Sequence, residues 1–123
     1  IPFCHVENSF IIFDRFISDT EIDFKLNFSN IRFEHSILWR ILNQVAIKPD
    51  ISFVLILEVS ESLKRSEIKK EPFPDTPETL YKRQALYKKY IQCQMGNIQV
   101  LDCSIALKEV SKKVIEKVKL FVF

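Results

Sequence analysis

Glycine is nearly missing from this sequence: Gly96 stands alone among 123 residues. Walker-type phosphate loops and dinucleotide-binding fingerprints both need several glycines at fixed spacing, so neither is encoded here. Turns that demand positive φ must fall to Asn, Asp or Ser instead. Long apolar runs are also lacking. The longest, Phe53-Val-Leu-Ile-Leu57, is five residues, against the roughly 18–20 needed to span a bilayer. No signal peptide is recognisable. Cysteine occurs three times, at Cys4, Cys93 and Cys103. An odd set without framework spacing argues against a disulfide scaffold and for a reducing compartment, nuclear or cytoplasmic. Asn27-Phe28-Ser29 matches the glycosylation sequon formally, but Phe28 is expected to face inward.

What is present is bulk and charge. Hydrophobic residues make up 47% and charged residues 28%, ordinary values for a globular domain. Eleven phenylalanines imply a voluminous aromatic core. The expectation is a single domain over 1–123, large enough to fold without staples. It begins at Ile1 without an initiator methionine, which suggests excision from a longer chain.

Periodicity supplies the elements. Residues 10–17 read as a buried strand. Residues 21–28 place Ile22, Phe24, Leu26 and Phe28 on one face of a half-buried antiparallel strand. The phase then flips to Ile31 and Phe33, as at a bulge. Ile37, Leu38, Ile41, Leu42 and Val45 fall at helical spacing within 34–47, and Pro49 stops that helix. Residues 51–59 are apolar on both faces and read as a central strand. The charged, proline-rich stretch 60–76 reads as a mobile loop. Thr76 then caps a helix over 77–90, with Pro77 in its first turn. Ile91, Cys93 and Met95 alternate before Gly96-Asn97, as in a hairpin with 98–100. A last helix starts near Leu107, and 120–123 suit a short strand. The fold class predicted is α+β: an antiparallel or mixed sheet of about five strands with two to three helices packed on it. A small β-barrel with an inserted helix is the alternative.

Candidate chemistry is sparse. Cys4, His5, Cys93 and Cys103 do not match zinc-ligand spacing, and Cys93 falls on a predicted core face. His5 and His35 carry no nucleophile signature. Asp14, Asp19, Glu21 and Asp23 read as solvated charge around a hairpin. Pro49-Asp50 with Glu58 matches part of a metal-dependent nuclease pattern, but Ser60 stands where the lysine would be. No catalytic residue, metal or cofactor is expected.

Charge asymmetry is the better signal. Residues 1–60 sum to −3 and residues 61–123 to +5. Lys82, Arg83, Lys88 and Lys89 interleave with Tyr81, Tyr87 and Tyr90 on the helix at 80–90, a combination suited to single-stranded nucleic acid. Two modification patterns fall in the 60–76 stretch. Ile68-Lys69-Lys70-Glu71 fits SUMO attachment at Lys69, and Thr76-Pro77 fits proline-directed phosphorylation. The function predicted is a non-catalytic protein–protein interaction or scaffold domain of a larger intracellular assembly, with a protein partner. Nucleic-acid binding through the 80–90 helix is the alternative.

Overall fold

The computed structural model describes residues 10–93 and 96–122. The chain divides into two compact units, one ending at Gln44 and one starting at Val45. Each is described by itself.

In the first unit, Phe10 to Phe13 form no strand and are exposed. Helix α1 spans Ile17–Asn27. Its start is fixed by Asp19, whose Oδ2 accepts the Phe16 N–H at 2.9 Å, satisfying a donor that the helix leaves unpaired. Lys25 Nζ donates to Glu21 Oε1 one turn earlier at 2.6 Å, and Arg15 reaches Asp23 at 3.0 Å. A 3-10 turn at Phe33–His35 leads into helix α2, Ile37–Val45. Ser36 caps α2 by accepting the Trp39 N–H at 3.1 Å. Aromatic rings bind this unit together: Phe24 lies 5.2 Å from Phe33, and Phe33 meets Trp39 edge-on at 4.9 Å. Ile22 is its one buried hydrophobic residue among those described.

The second unit runs strand, two helices, strand, helix. Strand β1 is Ser52–Ile56, helix α3 Val59–Lys69, helix α4 Pro77–Cys93, strand β2 Ile98–Asp102 and helix α5 Leu107–Val122. The strands pair parallel, with Ser52 opposite Ile98 and Ile56 opposite Asp102. Parallel strands cannot be joined by a tight turn, so α3 and α4 form the crossover. Val59, Leu101 and Val110 are its buried hydrophobics. Helix α3 ends at Lys70, held in the left-handed region at φ 51°. The Lys70 N–H bonds Glu67 O at 3.1 Å, and Ser66 Oγ donates to Glu71 Oε2 at 3.0 Å. Thr76 caps α4, its Oγ1 accepting the Thr79 N–H at 3.2 Å, ahead of Pro77 as its sequence pattern predicts.

This architecture overturns the predicted α+β fold of about five strands, and the β-barrel alternative with it. The described residues form five α-helices and one two-stranded parallel sheet. The expected strand at 21–28 is helical for a physical reason. A spacing of four is common to both periods, so Ile22–Leu26 and Phe24–Phe28 are neighbours on a helix as well. The rings of Phe24 and Phe28 do meet, at 5.4 Å. Residues 60–69 of the expected loop are helical too, with Glu61 and Arg65 paired at 3.2 Å one turn apart. The hairpin strand at 91–93 is the last turn of α4, because Ile91 continues the half-buried stripe of Gln84 and Tyr87. The expected tail strand is the end of α5. Ile1-Pro2-Phe3, Cys4, His5, Met95 and Phe123 lie outside the described residues.

Candidate interaction surfaces

Helix α2 presents an apolar stripe that the described residues of its own unit leave exposed. Ile37 is 73% exposed and Leu38 80%, and Ile41 and Leu42 are exposed beside them. On a helix these positions share one face. An amphipathic helix gains its stability by burying such a face.

Helix α4 carries the residues that sequence reasoning selected for nucleic acid, and it divides them. Tyr81, Lys82, Lys88 and Lys89 are exposed, whereas Arg83, Tyr87 and Tyr90 form a half-buried stripe on roughly the opposite side of the helix. Lys82 Nζ sits 2.7 Å from Glu78 Oε1, and Arg83 Nη2 3.2 Å from Asp75 Oδ2. The hydrogen bond from Lys82, reinforced by its charge, holds the Glu78 carboxyl below the usual carboxylate range. Two of the four selected cations therefore already face carboxylates. Tyr81 keeps an open ring face.

The two modification candidates fare differently. Thr76 is exposed, but its hydroxyl is spent on the α4 cap and on Thr79, 2.9 Å away. Lys69 is exposed in the last turn of α3. Its motif is not an extended peptide: Ile68 and Lys69 are helical, Lys70 is left-handed, and Glu71 is held by Ser66.

Arg65 is the residue that sequence reasoning missed. Its Nη2 donates to the Cys103 carbonyl at 3.0 Å, and its Nε to Glu61 Oε1 at 3.2 Å. It thereby ties α3 to the carboxyl end of β2. A cleft of about 420 Å³ opens beside it, lined by Leu57, Ser62, Ser66, Lys69, Phe73 and Leu80 among others. No signal in the sequence points to Arg65, because its segment reads as an unstructured linker. Cys103 is half-buried, and loss of water pushes its thiol above the ordinary range. Asp102 lies lower than usual because its carboxylate accepts the Ser104 backbone N–H, at 2.8 Å.

Asp19, Glu21 and Asp23 are engaged in the cap and ion pairs of α1. Asp50 and Glu58 flank opposite ends of β1. Among the described residues, no group of three or more His, Cys, Asp or Glu side chains could hold a metal ion. No described helix is long and apolar enough to cross a membrane. Comparison with protein-family models, with curated proteins and with solved structures finds no match.

Proposed function

We propose that this chain is a non-catalytic protein-interaction module, and that α2 is one of its contact surfaces. The observation that carries this reading is the uncovered stripe Ile37, Leu38, Ile41 and Leu42. Burying such side chains recovers about 1.5–3 kcal/mol each, enough in combination to hold a partner. The test is the mass of the assembly that a tagged chain forms in its source cells. Leu38→Glu and Ile41→Glu are expected to reduce that mass toward the 14.5 kDa of one chain. Because both side chains are already in water, far-ultraviolet circular dichroism should not change. An unaltered assembly in both variants sinks the reading.

A second reading, recognition of a small anionic ligand, is supported by one feature. The cleft beside Arg65 opens where β1 and β2 end, and in parallel sheets ligands bind beyond the carboxyl ends of strands. Arg65, Lys69, Ser62 and Ser66 line it, together with the carboxylates of Glu71 and Asp75, which Ser66 and Arg83 respectively engage. Calorimetric titration with inorganic pyrophosphate, repeated on Lys69→Ala, tests this. Binding that Lys69→Ala leaves intact argues against the cleft. Nucleic-acid binding by α4 would rest on Tyr81, Lys82, Lys88 and Lys89 alone. Fluorescence anisotropy with labelled single-stranded RNA across a salt series decides it.

A further inference from the structure

Thr76-Pro77 is the one place in the 123 residues where a hydroxyl amino acid precedes proline. Pro74 stands two positions ahead of that hydroxyl, giving Pro-Asp-Thr-Pro over 74–77. Proline-directed protein kinases select this arrangement. The proline that follows the acceptor holds it extended and brings no N–H that the kinase would have to satisfy.

The fold presents the segment in a form that such an enzyme can take. Residues 71–78 are all exposed, and 71–76 lie outside helix and strand. Prolines at 72, 74 and 77 keep the segment from extending α4 backwards. Thr76 is tethered by the first turn of α4. Its carbonyl accepts the Leu80 N–H at 3.0 Å, and its Oγ1 accepts the Thr79 N–H at 3.2 Å and lies 2.9 Å from Thr79 Oγ1. A single side-chain cap biases a helix end only about fivefold, so the hydroxyl is engaged without being locked away. Carboxylates stand on both sides of it, and each has a cation. Asp75 Oδ2 lies 3.2 Å from Arg83 Nη2, and Glu78 Oε1 2.7 Å from Lys82 Nζ.

We propose that Thr76 is a phosphorylation site for a proline-directed protein kinase using magnesium-bound ATP. Thr76 Oγ1 bonds to the γ-phosphorus, and the bond from that phosphorus to the β,γ-bridging oxygen breaks. ADP leaves, and the hydroxyl proton passes to a carboxylate of the kinase. The phosphate remains at the start of α4. Its oxygens replace the hydroxyl as acceptor of the Thr79 N–H and meet the positive end of the helix. The added charge of about −2 falls within two turns of Lys82 and Arg83. This end of α4 thereby changes from balanced charge to net negative.

The test incubates the folded full chain with a purified mitogen-activated protein kinase and magnesium ATP, beside a synthetic peptide covering 70–83. Peptide mass spectrometry is expected to place phosphate on Thr76 in both. The initial rate on the chain should fall at least about tenfold in Pro77→Ala, which keeps the hydroxyl but restores an N–H after it. A modified peptide beside an unmodified chain overturns the proposal, because the fold then withholds the site. Phosphate on neither overturns it too, as does a Pro77→Ala rate equal to that of the parent. In the modified chain, the Thr79 amide is expected to shift in a nitrogen–proton NMR spectrum and to titrate with the second phosphate ionisation, near about pH 6. A Thr79 amide that does not respond overturns the capping role of the phosphate. Neither readout involves α2, so this result and the interaction reading stand or fall separately.

Discussion

The Arg65 guanidinium donates to the carbonyl of Cys103, 38 positions away in sequence, at 3.0 Å. That bond joins the first crossover helix to the end of the second strand. Arg65→Ala is expected to weaken the second unit by about 1 kcal/mol, the lower range for a charged donor that is still partly in water. Arg65→Lys keeps the charge but cannot span Glu61 and Cys103 together, and should fall between. Urea denaturation of the three proteins measures the order. Equal midpoints would show that the bond contributes nothing.

Lys70 sits in the left-handed region at φ 51°, where a side chain costs roughly 1 kcal/mol and glycine costs little. Lys70→Gly should therefore stabilise α3 by about 0.5–1 kcal/mol, after allowing for glycine's greater freedom in the unfolded chain. Slower amide exchange in the last turn of α3 is the readout. Lys70→Val should act in the opposite direction.

The thiols should separate by reactivity. Cys93 is exposed on α4, whereas burial raises the Cys103 thiol above its ordinary range. At neutral pH, iodoacetamide should label Cys93 well before Cys103, as read by peptide mass spectrometry. Cys103 binds its proton more tightly folded than unfolded. Its contribution is therefore fully present below the unfolded thiol range and is lost as pH rises through the folded value.

Glu78 and Asp102 titrate the other way. Lys82 lowers Glu78, and the Ser104 N–H lowers Asp102. The stability that each contributes is present above the ordinary carboxylate range and is lost as pH falls through the depressed folded value. Carboxyl carbon shifts followed by NMR should place both midpoints below those of free carboxylates. Lys82→Ala should return Glu78, and not Asp102, to its ordinary value.

The two halves of the chain were unequally readable. Residues 34–47 read as a helix because Ile37, Leu38, Ile41, Leu42 and Val45 fit a helical stripe and no strand. Residues 51–59 read as a strand because Phe53 to Leu57 are five consecutive apolar residues shortly after a proline. Residues 22–28 misled because alternation and one-turn spacing coincide at every fourth position, and the Glu21–Lys25 pair that favours the helix is equally an alternating pair. Residues 59–69 misled because Val59 is the one buried residue anchoring that helix. The rest of α3 is held by the Glu61–Arg65 pair and the reach to Cys103, a long-range contact that no local pattern announces. On α4, the positions of the basic and aromatic residues were legible, but their division between two faces depends on which side meets the rest of the unit.

Phe73 is 93% exposed, between Pro72 and Pro74. An aromatic side chain so displayed would ordinarily invite proteases that cut after aromatic residues. The bond that follows it is Phe73–Pro74, whose nitrogen is part of a ring and carries no hydrogen. Such enzymes handle that bond poorly. The chain can therefore hold out the most accessible ring among its described residues without offering a point of cleavage there, and digestion of this segment passes to the lysines at the end of α3.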